Sequence, residues 1–138
     1  MDDIEQIRRL IFEYCYATDS GDIEAWLATF TDDVVWDGGP FGGFRGRDEG
    51  RAYIEATDPT PYRHLTINPI IDVQGDSATG KAYLLLLTVA EGATAVAFSG
   101  VYEDRYAKEG GRWLIAERHI HAAPAGIGSA SNSSGAVA

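Results

Sequence analysis

From Tyr62 onward the chain reads as four long β-rich runs, His64–Val73, Ser77–Val89, Thr94–Ala107 and Arg112–His121. Only short links, Gln74-Gly75-Asp76, Glu91-Gly92 and Gly110-Gly111, separate them. Glycine-bearing links of this length suit hairpins, so consecutive runs should pair as an antiparallel meander. Strands this long twist strongly and can curl around whatever covers one face. The covering elements must come earlier in the chain. Ile4, Ile7, Ile11 and Tyr14 recur every three or four positions, the stripe of an amphipathic helix over Asp3–Thr18. Gly21 suits a helix stop, and Asp22 can cap a second helix through Ala25, Trp26, Leu27 and Phe30. A short strand over Asp33–Asp37 follows, then a glycine-rich rim from Gly38 to Phe44, then a third helix over Arg47–Glu55. Thr57-Asp58-Pro59-Thr60-Pro61 breaks regular structure before the strands begin. Helices first and strands afterwards give an α+β class: three N-terminal helices on the concave face of a strongly bent, mostly antiparallel sheet, together a cone-shaped barrel.

At 138 residues one domain suffices, and such a chain buries roughly 68–70% of its unfolded surface. Residues 1–121 form that domain, and the small, polar stretch 122–138 is a loose tail. Three Trp, seven Tyr and five Phe supply an aromatic interior. The formal charge of −10 repels phosphate backbones and anionic lipid heads, which argues against nucleic-acid and membrane partners. Cys15 alone makes no intrachain disulfide and reads as packing. No apolar run of signal or membrane-spanning length occurs, so a cytoplasmic location is expected.

Proton transfer near neutral pH calls first on histidine. His64 opens the first long strand, where alternation puts His64, Thr66 and Asn68 on one face, Leu65 and Ile67 on the other. Asp19 closes the first helix. It lies five residues after Tyr14, roughly 140° around the axis, so both face inward only if the last helical turn unwinds. A carboxylate at Asp19 accepting from one imidazole nitrogen would leave the other free as a base. Trp36, Phe41, Phe44 and Tyr53 surround the glycine-rich rim as a pocket wall or lid. Arg118 either pairs with Glu117 across the sheet or binds an anionic substrate group. A lone His119-x-His121 on one strand, without a carboxylate or Cys nearby, is a weak metal signal and is expected to be a surface or oligomer contact. Walker-type loops, dinucleotide fingerprints and nucleophile elbows do not occur.

The stretch from Ile4 to about His119 resembles the SnoaL-like branch of the nuclear transport factor 2-like superfamily. The resemblance runs through Tyr14-Cys15-Tyr16-Ala17-Thr18-Asp19-Ser20-Gly21-Asp22, Phe30-Thr31-Asp32-Asp33-Val34, Gly46-Arg47, His64-Leu65-Thr66-Ile67-Asn68, and Gly100-Val101-Tyr102-Glu103-Asp104 before Gly111-Arg112-Trp113. Dehydratase and dehydrochlorinase members use an Asp–His pair at the positions of Asp19 and His64, and Tyr14 matches an active-site Tyr that donates to a substrate oxygen. The resemblance thus implies a cofactor-independent lyase or isomerase without metal, acting on a small hydrophobic, cyclic or polyketide-like molecule. It also implies a homodimer or homotrimer packed through the sheet. A carrier using the same cavity, or an epoxide-opening or ring-closing cyclase, stands as the alternative, since one fold serves many functions.

Overall fold

A computed structural model describes residues 1–58 and 61–123. Helix α1 spans Asp3–Ser20, capped at its start by Asp2, whose carboxylate accepts the Glu5 N–H at 2.8 Å. Its end is set by Gly21, at φ 73°, whose N–H returns to the carbonyls of Ala17 and Thr18. Asp22 then caps the short α2 (Ile23–Leu27), accepting from the Ala25 N–H at 3.0 Å. This second helix stops earlier than the apolar spacing suggests. Phe30 belongs instead to strand β1 (Phe30–Asp37), where its fully buried ring packs edge-on against Trp26. The glycine-rich rim is ordered as a 3₁₀ turn (Gly39–Phe41) and the short β2 (Gly43–Arg45), followed by α3 (Gly46–Glu55).

Strands β3 (Tyr62–Gln74), β4 (Ser77–Ala90), β5 (Ala93–Glu109) and β6 (Arg112–Ala122) form the antiparallel meander. β1 adds to β6 in parallel, a pairing that no local pattern announces, and the order across the six-stranded sheet is β2-β1-β6-β5-β4-β3. β2 and β3 remain edges, so the sheet curls around the helices as an open cone rather than closing on itself. β6 runs through Ala122, one residue past the expected domain end, and the rest of the expected tail from 124 lies outside the described residues, as do positions 59 and 60 of the proline-bearing connector.

The core lies between α1 and the concave face, with Ile7, Leu10, Ile11 and Tyr14 from α1 against Ala82, Leu84, Tyr102, Tyr106 and Ile115 from the sheet. Asp3 pins the start of α1 to the far hairpin, its carboxylate accepting from Trp113 Nε1 at 2.9 Å and Lys108 Nζ at 3.2 Å. Held at that end, α1 delivers its last turn to the opening residues of β3. No helix among the described residues is long and apolar enough to cross a membrane.

Candidate active site

The corner between α1 and α2 meets the head of β3. Asp19 Oδ1 lies 2.7 Å from His64 Nδ1, and the same carboxylate accepts the His64 backbone N–H through both oxygens, at 3.1 and 3.0 Å. A carboxylate can only accept from these groups, so Nδ1 carries the ring proton and Nε2 keeps a free lone pair. The backbone contact fixes the carboxylate on the strand itself, which makes the ring's orientation a property of the fold. The last turn of α1 does not unwind as anticipated. Asp19 reaches β3 because no further helical turn lies beyond it, while Tyr14 reaches the same space from lower on the helix. Both partners are mostly buried, with side-chain exposures of 17% for His64 and 14% for Asp19. Burial pulls the His64 imidazole below its ordinary pKa, and the Asp19 hydrogen bond and charge offset only part of that. The ring is therefore neutral at pH 7 and able to accept a proton.

Asp19 and His64 sit on the wall of a cavity of about 760 Å³, within the range of small-molecule sites. Trp26, Trp36, Tyr53, Leu84, Leu86 and Ile120 give it an apolar lining, and Phe41 stands at the rim with 39% of its surface exposed. Tyr14 also lines it, its hydroxyl accepting from Trp36 Nε1 at 3.1 Å, which leaves the phenolic proton to be donated elsewhere. Asp22, Glu55 and Asp58 add carboxylates to the lining, and among the described residues no lysine or arginine bounds the space. Tyr53 ties α3 to the rim by donating to the Phe41 carbonyl at 2.8 Å.

Three residues expected to contact a ligand stand elsewhere. Phe44 lies behind the wall, its ring stacked on Trp36 with centroids 5.2 Å apart. Asn68 is exposed: the β3–β4 register slips between Ile67 and Ile70, Asn68 adopts φ 57°, and the inward face passes to Ile71 and Val73. Arg118 does not line the cavity, nor does it pair with Glu117. Its guanidinium is fully buried and binds Asp104 through two hydrogen bonds of 2.9 and 2.8 Å, while Glu117 points to the other face and pairs with Arg105. His119 has carboxylates nearby after all, Glu117 at 3.3 Å and Asp37 at 3.5 Å, and His121 has Glu103 at 2.8 Å. No group of three metal-ligating side chains occurs among the described residues. Tyr102 was absent from the expected site yet bounds the cavity. Its signal was the period-two series Tyr102, Asp104, Tyr106, which puts an acid on an apolar strand face.

An open, curled α+β sheet with helices on its concave face is the fold that this chain shares with solved structures described as cystatin-like and NTF2-like. The SnoaL-like domain model matches residues 1–119, and the chain belongs to that family. Among solved structures it is similar to a variant of Rv3472, a protein of unknown function from Mycobacterium tuberculosis, at 31% identity and TM-score 0.84, over 98% of this chain and 78% of that one. A Nostoc punctiforme protein of unknown function with a cystatin-like fold aligns at 29% identity and TM-score 0.80, over 89% of this chain and 92% of its own. A candidate scytalone dehydratase from Novosphingobium aromaticivorans aligns at 25% identity and TM-score 0.77, over 88% and 84% respectively. No match to a curated protein is found at this level.

Proposed function

We propose that the chain is a cofactor-independent lyase or isomerase in which His64 removes a proton from a small, hydrophobic, uncharged cyclic molecule. The observation that carries this reading is the Nδ1–carboxylate contact of 2.7 Å, which leaves Nε2 free to act as a base beside a chamber of ligand size. His64 Nε2 takes the proton from a carbon next to a carbonyl. The C–H electron pair moves into a new C=C bond and the carbonyl electrons onto oxygen, where Tyr14 donates a hydrogen bond. The enolate then collapses in one of two ways. It expels a β-substituent, which the imidazolium protonates as it leaves, or it takes the proton back at another carbon. Asp19 holds the tautomer and balances the imidazolium charge. The similarity to a candidate scytalone dehydratase supports a dehydratase-like outcome, and the carboxylates in the lining disfavour anionic substrates.

The test is solvent exchange. In D₂O the protein should catalyse deuterium incorporation at the α-carbon of neutral bicyclic ketones such as 1-tetralone, read by proton NMR. The activity should decline in acid, below the ordinary imidazole pKa of about 6.5, because His64 must be neutral to accept. Saturable binding with no exchange above the solvent rate would assign the cavity to a carrier instead.

We also propose that the chain assembles with a second copy of itself. Leu65, Ile70, Tyr83 and Val96 are large apolar side chains exposed on the outer face of β3–β5, away from the cavity. A Tyr83→Lys variant should shift the sedimentation coefficient to that of a monomer; a wild-type protein already monomeric at micromolar concentration removes the proposal.

A further inference from the structure

Behind the cavity wall lies an arrangement that the proton transfer described above leaves unused. Arg118 sits with its guanidinium carbon 3.8 Å from the Tyr102 ring centroid and 4.4 Å from that of Tyr14, while its Nε and Nη2 donate to the Asp104 carboxylate. Tyr106 donates to the same Asp104 carboxylate at 2.6 Å. Gly80 leaves room for this cluster: a Cβ there would stand 2.9 Å from the Tyr106 ring. Every polar atom of the carboxylate is thus engaged, whereas the Tyr102 hydroxyl is fully buried and has no hydrogen-bond partner among the described residues. Trp26 Nε1, on the same cavity lining and 6.2 Å from Tyr14 between ring centroids, and Arg118 Nη1 are further buried donors without an acceptor among the described residues.

Buried hydroxyls are nearly always satisfied, and leaving one unpaired costs about 1–3 kcal/mol. A cavity wall that carries such a hydroxyl beside a second phenol with a proton to donate is short of one acceptor oxygen. Burial pushes both phenols up from their ordinary pKa, and the Arg118 charge pulls both back. The Arg118 guanidinium lies against both rings, so the two phenols share one local field. Donors held in this way stabilise an oxygen whose charge grows during reaction more than one whose charge is constant.

We propose that Tyr102 is a second donor to the substrate, sharing one carbonyl oxygen with Tyr14, and that the Arg118–Asp104 pair is the positioning element that holds both rings. The substrate class is then an uncharged ketone or enone whose oxygen enters first, toward the sheet, with its α-carbon left facing His64. This assignment rests on the His64 reading for its catalytic meaning, but its donor geometry can be tested separately.

The probe is 1-tetralone labelled with ¹³C at the carbonyl, observed by infrared difference spectroscopy bound to the full chain. In the wild-type protein the carbonyl band should move to lower frequency than in water-free solvent. In Tyr102→Phe it should return part of the way, and α-exchange should fall by about 10²-fold, mostly in kcat. Melting temperature separates this from a packing role, because deleting an unpaired buried hydroxyl should leave it unchanged or raise it. His64→Ala should keep the shifted band while losing exchange. A band that Tyr102→Phe does not move, or a failure of the ketone to bind, overturns the donor assignment. Wild-type protein that shifts the band without catalysing exchange, or a His64→Ala variant that still exchanges, overturns only the base.

Discussion

His64→Ala should lower turnover and α-exchange by at least about 10²-fold, and Asp19→Asn by about 10²–10⁴-fold, with both proteins still folded. The two losses have different causes. Alanine removes the group whose Nε2 accepts the proton, while the Asp19 contact to the His64 backbone N–H loses nothing. Asparagine at 19 preserves shape, yet it can offer an N–H to the ring as easily as an oxygen, so the imidazole no longer has one enforced tautomer, and the imidazolium loses the charge that balances it. The pH profile tells these apart from general damage. Asp19 raises the His64 pKa and burial lowers it, with burial the larger influence. Removing the carboxylate charge should therefore carry the acid limb of the exchange rate to still lower pH while its plateau drops. A limb that stays in place, or moves upward, would mean that Asp19 is not the electrostatic partner of the ring.

The pair was open to reading because each member sits at a punctuation mark in the chain. Asp19 precedes the Gly21 helix stop, and His64 opens a strand whose alternation fixes its side. The four hairpin-linked strands were legible for the same reason, since glycine links and period-two patterns are local. What escaped was non-local or depended on a defect in the repeat. Asn68 was placed inside by extending the alternation of His64 and Thr66, but the chain inserts a bulge after Ile67, and nothing in Ile67-Asn68-Pro69-Ile70 besides Pro69 announces it. Phe30 looked like the end of a helix stripe, yet the parallel pairing of β1 with β6, where Phe30 stands opposite Ile115, claims it for the sheet. Arg118 was the instructive miss. On an exposed strand face it would be a ligand for anions. Its true partner, Asp104, lies 14 residues away on the neighbouring strand, and only the register that sets Asp104 opposite Arg118 reveals that the charge is already spent. Tyr102 was overlooked although its period-two series with Asp104 and Tyr106 put it on the inward face, because its unpartnered hydroxyl shows only once the strands are packed.

Asp104→Ala should destabilise the fold by about 3–5 kcal/mol, a large share of the roughly 5–15 kcal/mol that holds a domain of this kind together. The side chains of Arg118 and Asp104 are 0% and 1% exposed, so removing the carboxylate strands a guanidinium where water cannot reach it, and the Tyr106 hydroxyl loses its acceptor as well. Thermal melting should report a drop of more than about 10 °C. The double replacement Arg118→Met with Asp104→Leu removes both charges and fills similar volume, and should recover much of that loss, since buried ion pairs often contribute little beyond what matched apolar packing supplies. Activity should not return with it. Methionine offers the Tyr14 and Tyr102 rings neither a planar cation to stack on nor a charge that lowers their pKa and strengthens their hydroxyls as donors, so α-exchange should stay at least about 10-fold below the wild-type rate. Stability restored without exchange would show that the pair is retained for the rings it holds. Stability and exchange restored together would reduce it to a packing feature and leave Tyr14 and His64 to do the chemistry without it.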